Sequence, residues 1–209
     1  MNASPLAALR RRVPPRPPRE SCDLCATPLA RRHRHLWEVP QRRLVCACDP
    51  CAVLFAGEAR QRYRAVPEQV RYLEGFELPQ ELWEGLLVPV GMVFFIREEG
   101  PTDGSRVVAR YPSPAGATES SLELEAWREL EARNPILRRM EPEVEALLVN
   151  RVGRARDHFL APIDRCYELV GLIRAGWRGL SGGSELWRSV EQFFAELRRQ
   201  AVTSRCGDA

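Results

Sequence analysis

The clearest rhythm of apolar positions begins near residue 88. Val88–Arg97 (VPVGMVFFIR) is β-branched and aromatic, the composition of a buried strand. The turn cluster Glu98–Ser105 follows it, and Arg106–Tyr111 (RVVARY) predicts the returning strand of a hairpin. Residues Tyr111–Ser120 read as a connector of small residues without the glycine–lysine signature of a phosphate loop. Leu122–Ala132 predicts a helix with Leu124, Trp127 and Leu130 on one face, ending at Asn134-Pro135, because the residue before a proline is pushed out of the helical region. Val144–Val149 and Asp157–Ala161 predict a second hairpin across the turn Arg151–Arg156. Two amphipathic helices complete the pattern, Ile163–Trp177 and a last one from Ser184 carrying Leu186, Val190, Phe193, Phe194 and Leu197 at helical spacing. The order ββαββαα repeats a hairpin-plus-helix unit. It predicts an α+β domain over residues 67–201, a four-stranded antiparallel sheet with helices on one face.

Upstream the pattern is poorer. Residues 1–20 hold five prolines and five arginines with little to bury, which predicts a disordered arm. Residues 21–66 form a cysteine-rich module, polar and helical in pattern from Glu58 to about Ala65, with a break at Pro67. A short helix or turn over Leu78–Leu87 has Pro79 near its first turn. Residues 202–209, with Cys206, read as a disordered tail.

Five of the seven cysteines fall between residues 22 and 51, as Cys22-Asp-Leu-Cys25 and Cys46-Ala-Cys48-Asp-Pro-Cys51. Two C-x-x-C pairs separated by 22 residues have the spacing of a four-thiolate metal site, since each tight turn presents two sulfurs to one ion. Cys22, Cys25, Cys48 and Cys51 are the expected ligands; Cys46, His33 and His35 are the substitutes should one be displaced. Arg43–Ala47 reads as a strand, which would aim Cys46 and Cys48 to the same side. Cys51 then falls in the first turn of a helix beginning at Asp49-Pro50, resembling a treble-clef zinc finger, and the helix N-terminus favours thiolate there. Arginines 31, 32, 34, 42 and 43 are placed to offset the charge of a zinc tetrathiolate. Four thiolates leave no open coordination position, so the expected ion is a structural Zn2+. Iron in a rubredoxin-like site is the rival, weakened by Ala26 and Ala52 where rubredoxin knuckles carry glycine.

Composition narrows the function classes. All 31 basic residues are arginine, which removes Schiff-base, P-loop and kinase-type chemistry, each of which needs a lysine. Residues 1–65 carry 13 arginines against 5 acidic residues, and the remainder 18 against 23, so a net charge of +3 hides a basic front and an acidic body. That front, with Arg60, Arg62 and Arg64 expected on the helix after the cysteines, raises nucleic-acid binding as a further alternative. The longest strongly apolar run, Leu86–Ile96, is 11 residues, about half of a membrane span, and the N-terminus lacks an export signal's apolar stretch. A cytoplasmic protein is expected. No catalytic triad or carboxylate pair stands out; His158 has no nucleophile near it in sequence, and Cys166 and the late aromatics read as core. The expectation is therefore a non-enzymatic protein.

Several blocks carry a resemblance: Cys22-x-x-Cys25, Arg34-His35-Leu36, Arg43-Leu-Val-Cys-Ala-Cys-x-x-Cys51 with Leu54-Phe55, Tyr111–Thr118, Val144–Val149, and Pro162–Gly171 through Trp177-Arg-Gly179. Together, over most of residues 21–197, they resemble an uncharacterised bacterial family whose genes tend to lie beside those for uptake nickel–iron hydrogenases. The resemblance implies an accessory part in hydrogenase assembly, maturation or electron delivery. The partners it implies are hydrogenase subunits or maturation factors.

Overall fold

The computed structural model describes residues 20–56, 62–99, 105–120, 124–179 and 181–206. The chain divides into two compact units, Met1–Tyr63 and Arg64–Ala209. Most of the expected N-terminal arm, residues 1–19, lies outside the described residues.

In the first unit, β1 (Arg34–Glu38) and β2 (Arg43–Ala47) form an antiparallel hairpin, with His35 opposite Cys46 and Leu36 opposite Val45. β3 (Tyr63–Ala65), in which one unit gives way to the next, completes a three-stranded sheet of order β2-β1-β3. Helix α1 (Asp49–Phe55) follows β2 directly. Pro50 sits where a missing N–H costs nothing, and Asp49 places negative charge in the first turn. The interior is small: Cys22, Leu36, Val45, Ala47, Cys51 and Ala52. At its edge the buried Glu38 accepts hydrogen bonds from Arg43 (2.7 Å) and Arg62 (2.9 and 2.7 Å). Arg62 foremost, against the opposing effect of burial, holds its carboxyl below the usual range.

The second unit is a seven-stranded mixed sheet of order β10-β4-β9-β8-β5-β6-β7. The strands are β4 (Arg71–Glu74), β5 (Met92–Glu99), β6 (Ser105–Ser113), β7 (Gly116–Ser120), β8 (Glu145–Asn150), β9 (Asp157–Pro162) and β10 (Val202–Arg205). The four expected strands are its centre, β9-β8-β5-β6, all antiparallel. The sheet is nevertheless larger than the four strands expected, and not purely antiparallel, because β10 pairs with β4 in parallel. The segment expected as a loop over Tyr111–Ser120 is the end of β6 and all of β7, joined by a tight turn in which Ser113 Oγ donates to the Gly116 carbonyl (2.9 Å). Residues 202–205, expected in a disordered tail, form β10, and Cys206 is buried in the core beside Leu73 and Leu78.

The helices are α2 (Gln80–Gly85), α3 (Leu124–Arg133), α4 (Ile163–Gly176) and α5 (Ser184–Gln200), with a 3-10 turn at Pro135–Arg139. They cover both faces, not one. Neighbouring residues of a strand point to opposite sides. Phe95 packs on Trp127 of α3, whereas Phe94 meets Tyr167 of α4, and Phe159 stacks with Phe194 of α5. The unit is a sandwich of helices, sheet and helices, and double coverage explains why all six residues of β8 are buried. Among the buried carboxylates, Glu98 accepts from Arg106 and Arg110, and Glu145 accepts both oxygens' bonds from Arg71 (2.8 and 2.9 Å).

Candidate metal centre

Cys22 and Cys25 lie on a tight turn pinned by backbone hydrogen bonds from Cys22 N–H to Thr27 O and from Ala26 N–H to Cys22 O (both 2.8 Å). Ala26 takes the left-handed conformation, φ 60°, to close it. Cys48 is the cap residue of α1 and Cys51 lies in that helix's first turn. Asp23 joins the halves: its N–H donates to the Cys46 carbonyl (2.9 Å), and its carboxylate accepts from the Cys46 N–H (2.7 Å). The result brings the sulfurs of Cys22, Cys25, Cys48 and Cys51 within 4.8 Å of one another, with Cys25 and Cys48 Sγ 3.6 Å apart. A tetrahedron with metal–sulfur bonds of about 2.3 Å has edges of about 3.8 Å, so the group has the dimensions of one four-thiolate site.

The four sulfurs differ electrostatically. Thr27, whose Oγ1 is 3.3 Å from Cys25 Sγ, hydrogen-bonds that sulfur through its hydroxyl and amide and lowers its pKa to about 6. Burial opposes ionisation of Cys22, but backbone N–H groups of Cys48, Leu24 and Cys25 outweigh it, and the net shift is downward. Cys48 accepts from the Cys51 N–H, yet burial and the adjoining sulfurs carry its pKa upward. Burial first, then the other three thiols, pushes Cys51 up to about 12. The expected lowering at the start of the helix is therefore overridden there: without a cation, crowded sulfurs cannot all be charged.

Cys46 does not share a side with Cys48. β2 ends at Ala47, so strand alternation stops before Cys48, which turns towards the interior with Cys22 and Cys51. His33, His35 and Cys46, expected as substitute ligands, form a second group whose ligand atoms also lie within 4.8 Å of one another. The signal for it was present in the register of β1 with β2, and β1 was not anticipated. Of the arginines expected near the thiolates, Arg34 pairs with Asp49 (3.1 Å), the residue after Cys48, and Arg43 pairs with Glu38.

Arg62 and Arg64 are not on α1, which ends at Phe55. Arg62 is committed to Glu38, and Arg64 on β3 pairs with Glu99 and lies 3.8 Å from Glu143. Arg60 lies outside the described residues. His158 is buried against Phe76, and burial with Arg151 and Arg156 lowers its pKa to about 4, so it is a neutral core residue. Among the described residues no helix is long and apolar enough to cross a membrane.

No curated protein and no solved structure matches this chain. One family model does, over residues 21–201, which takes in both cysteine knuckles and nearly all of the sheet unit, and the chain accordingly belongs to the family of unknown function DUF5947.

Proposed function

We propose that this protein is a non-enzymatic, zinc-bearing accessory protein, in which Cys22, Cys25, Cys48 and Cys51 hold a structural Zn2+ and the folded module serves protein docking. The observation that carries the reading is the convergence of two C-x-x-C pairs on one tetrahedron-sized volume, which would fill every position around a four-coordinate ion. Exposed Val53 and Leu54 on α1 favour a protein partner, being large apolar side chains left in solvent beside the centre. Assembly or maturation of a nickel–iron hydrogenase is the process that the resemblance implies.

The unequal knuckles favour zinc over iron. The first is a turn closed by left-handed Ala26, whereas in the second Ala52 is the continuation of α1. A rubredoxin-like electron carrier uses two equivalent turns. Nucleic-acid binding is disfavoured because Arg34, Arg43, Arg62 and Arg64 are engaged with carboxylates.

Metal analysis with a visible spectrum, on protein purified without chelator, tests the assignment. Colourless protein containing zinc is expected; a red ferric–thiolate protein would establish the electron-carrier reading in its place. Capture of hydrogenase subunits or maturation factors by the full chain then tests the partner.

A further inference from the structure

The group formed by His33, His35 and Cys46 is separate from the four sulfurs and unexplained by them. His35 and Cys46 are directly opposite in the β1–β2 register, so both side chains project from the same face of the hairpin. That face is the reverse of the one carrying Leu36 and Val45 into the interior. His33, just before β1, brings its ring to 4.7 Å from that of His35. Its side chain is only 8% exposed, and the two ring nitrogens are treated very differently. Nδ1 is 3.0 Å from the Ala30 carbonyl and 3.6 Å from the Glu20 carboxylate. Nε2 is buried with no hydrogen-bond partner.

An unpartnered buried imidazole nitrogen costs the full desolvation of its lone pair, and its neighbour Cys46 does not satisfy it. The arrangement is the one a metal-ligating histidine has: one nitrogen donates its N–H to a carbonyl, which fixes the tautomer and leaves the lone pair of the other directed at the ligand. Two imidazoles and one thiolate suit a borderline-soft dication.

We propose that His33, His35 and Cys46 are a second metal site, separate from the four-cysteine centre, for a d-block dication of the zinc type. His33 binds through Nε2 and Cys46 through Sγ, whose thiol proton passes to solvent as the metal–sulfur bond forms. Both histidines bind as neutral imidazoles. Three protein donors leave one tetrahedral position for water or for a donor atom of a bound molecule, and the partial exposure of His35 and Cys46 leaves that position reachable. Asp23, bonded to both backbone groups of Cys46, ties the hairpin carrying this site to the Cys22–Cys25 turn. The site needs no particular metal in the four-cysteine centre.

The test is zinc content of the full chain after loading and exhaustive dialysis, for wild type, His35→Ala, Cys46→Ser and Cys48→Ser. His35 is chosen over buried His33 so that the fold survives, with far-ultraviolet circular dichroism as the check. Two zinc ions per wild-type chain, falling to one in His35→Ala and in Cys46→Ser, is the expected result. A wild-type chain with one ion that His35→Ala leaves in place overturns the proposal, as do two ions that survive both substitutions. One ion lost from His35→Ala but kept by Cys48→Ser supports this site while removing the four-cysteine assignment. Cobalt loading of the wild type gives a reading that depends on no variant. Thiolate-to-metal absorption from five sulfurs over two ions is expected, and a spectrum that saturates at one four-sulfur ion counts against the site.

Discussion

The cysteine unit and the sheet unit build their interiors from different materials. In the sheet unit the core is continuous hydrocarbon on both faces of a seven-stranded sheet, with Phe94, Phe95, Leu147, Leu148, Phe159 and Leu160 all fully buried. The cysteine unit buries six residues in its central cluster, and two of them, Cys22 and Cys51, are candidate ligands. Its thiols are also poised differently. Cys25 ionises near pH 6, whereas Cys206 in the sheet unit is pushed up to about 11 by burial and by Glu77, and Cys166 is shifted upward by burial, with Asp164 adding to it. The same residue type is a candidate ligand in one interior and a small apolar filler in the other. The difference teaches that the first unit has little hydrocarbon to hold it and would depend on a bound ion for its stability, whereas the second rests on its side chains.

The largest effect expected from this contrast comes from removing a ligand. Cys48→Ser deprives the cysteine unit of most of a metal-binding free energy on the order of 10 kcal/mol, more than six small buried residues supply. Amide hydrogen exchange should show residues 21–56 losing protection while β5, β8 and β9 keep theirs. Phe95→Ala is the mirror change, costing about 3–5 kcal/mol by the cavity left against Trp127. It should lower the unfolding midpoint of the sheet unit without altering metal content. Loss of protection throughout the chain in both variants would break the comparison.

How far this contrast was legible in the sequence differs between the units. Buried central strands announced themselves, because MVFFIR and EALLVN are too apolar to lie anywhere but in a covered sheet, although β5 begins at Met92 and the expected start, Val88–Gly91, lies before it. Strands β4, β7 and β10 did not. They are short edge or near-edge strands such as GATES and VTSR, whose backbone pairing leaves the side chains polar. Double coverage was missed because each helix shows one apolar face, and nothing in a single helix says which side of the sheet receives it. The C-x-x-C spacing identified the four converging sulfurs. Separation of Cys46 from Cys48 needed the end of β2, a boundary of one residue, and pairing of His35 with Cys46 needed β1, whose RHLWE carries too few apolar residues to be read as a strand.

A smaller effect sharpens the electrostatic half of the comparison. At neutral pH Cys25 is largely thiolate, while Cys48 and Cys51 hold their protons, Cys51 with a pKa of about 12. Zinc must displace those protons, so uptake at pH 7 should release at least about two per ion, and affinity should fall at least roughly a hundredfold for each unit of acidification. The sign follows from ligation requiring thiolate: lower pH stabilises the thiol form, which does not bind. Below about pH 6 Cys25 also protonates, and the dependence should steepen. Calorimetry in buffers of differing ionisation enthalpy measures the proton count. A count near zero would mean that the four thiols are already ionised in the metal-free chain and that crowding does not govern them.

The smallest expected effect lies in the first knuckle. Ala26 must adopt φ 60° so that its N–H reaches the Cys22 carbonyl and the chain can turn towards Thr27. A side chain in that conformation costs about 1–2 kcal/mol because Cβ crowds the backbone. Glycine relieves the crowding but gives the unfolded chain more freedom, which takes back roughly 0.5–1 kcal/mol. Ala26→Gly should therefore stabilise the metal-loaded unit by no more than about 1.5 kcal/mol, seen as a zinc affinity up to about tenfold tighter in chelator competition. The corresponding change in the second knuckle, Ala52→Gly, should act in the opposite direction. Ala52 is buried in the middle of α1, where glycine weakens a helix by about 1 kcal/mol and leaves a small void. Opposite signs for the two alanines that follow the knuckles would locate the turn and the helix by energetics alone, and equal gains from both would show a pair of equivalent turns, the arrangement that an iron site prefers.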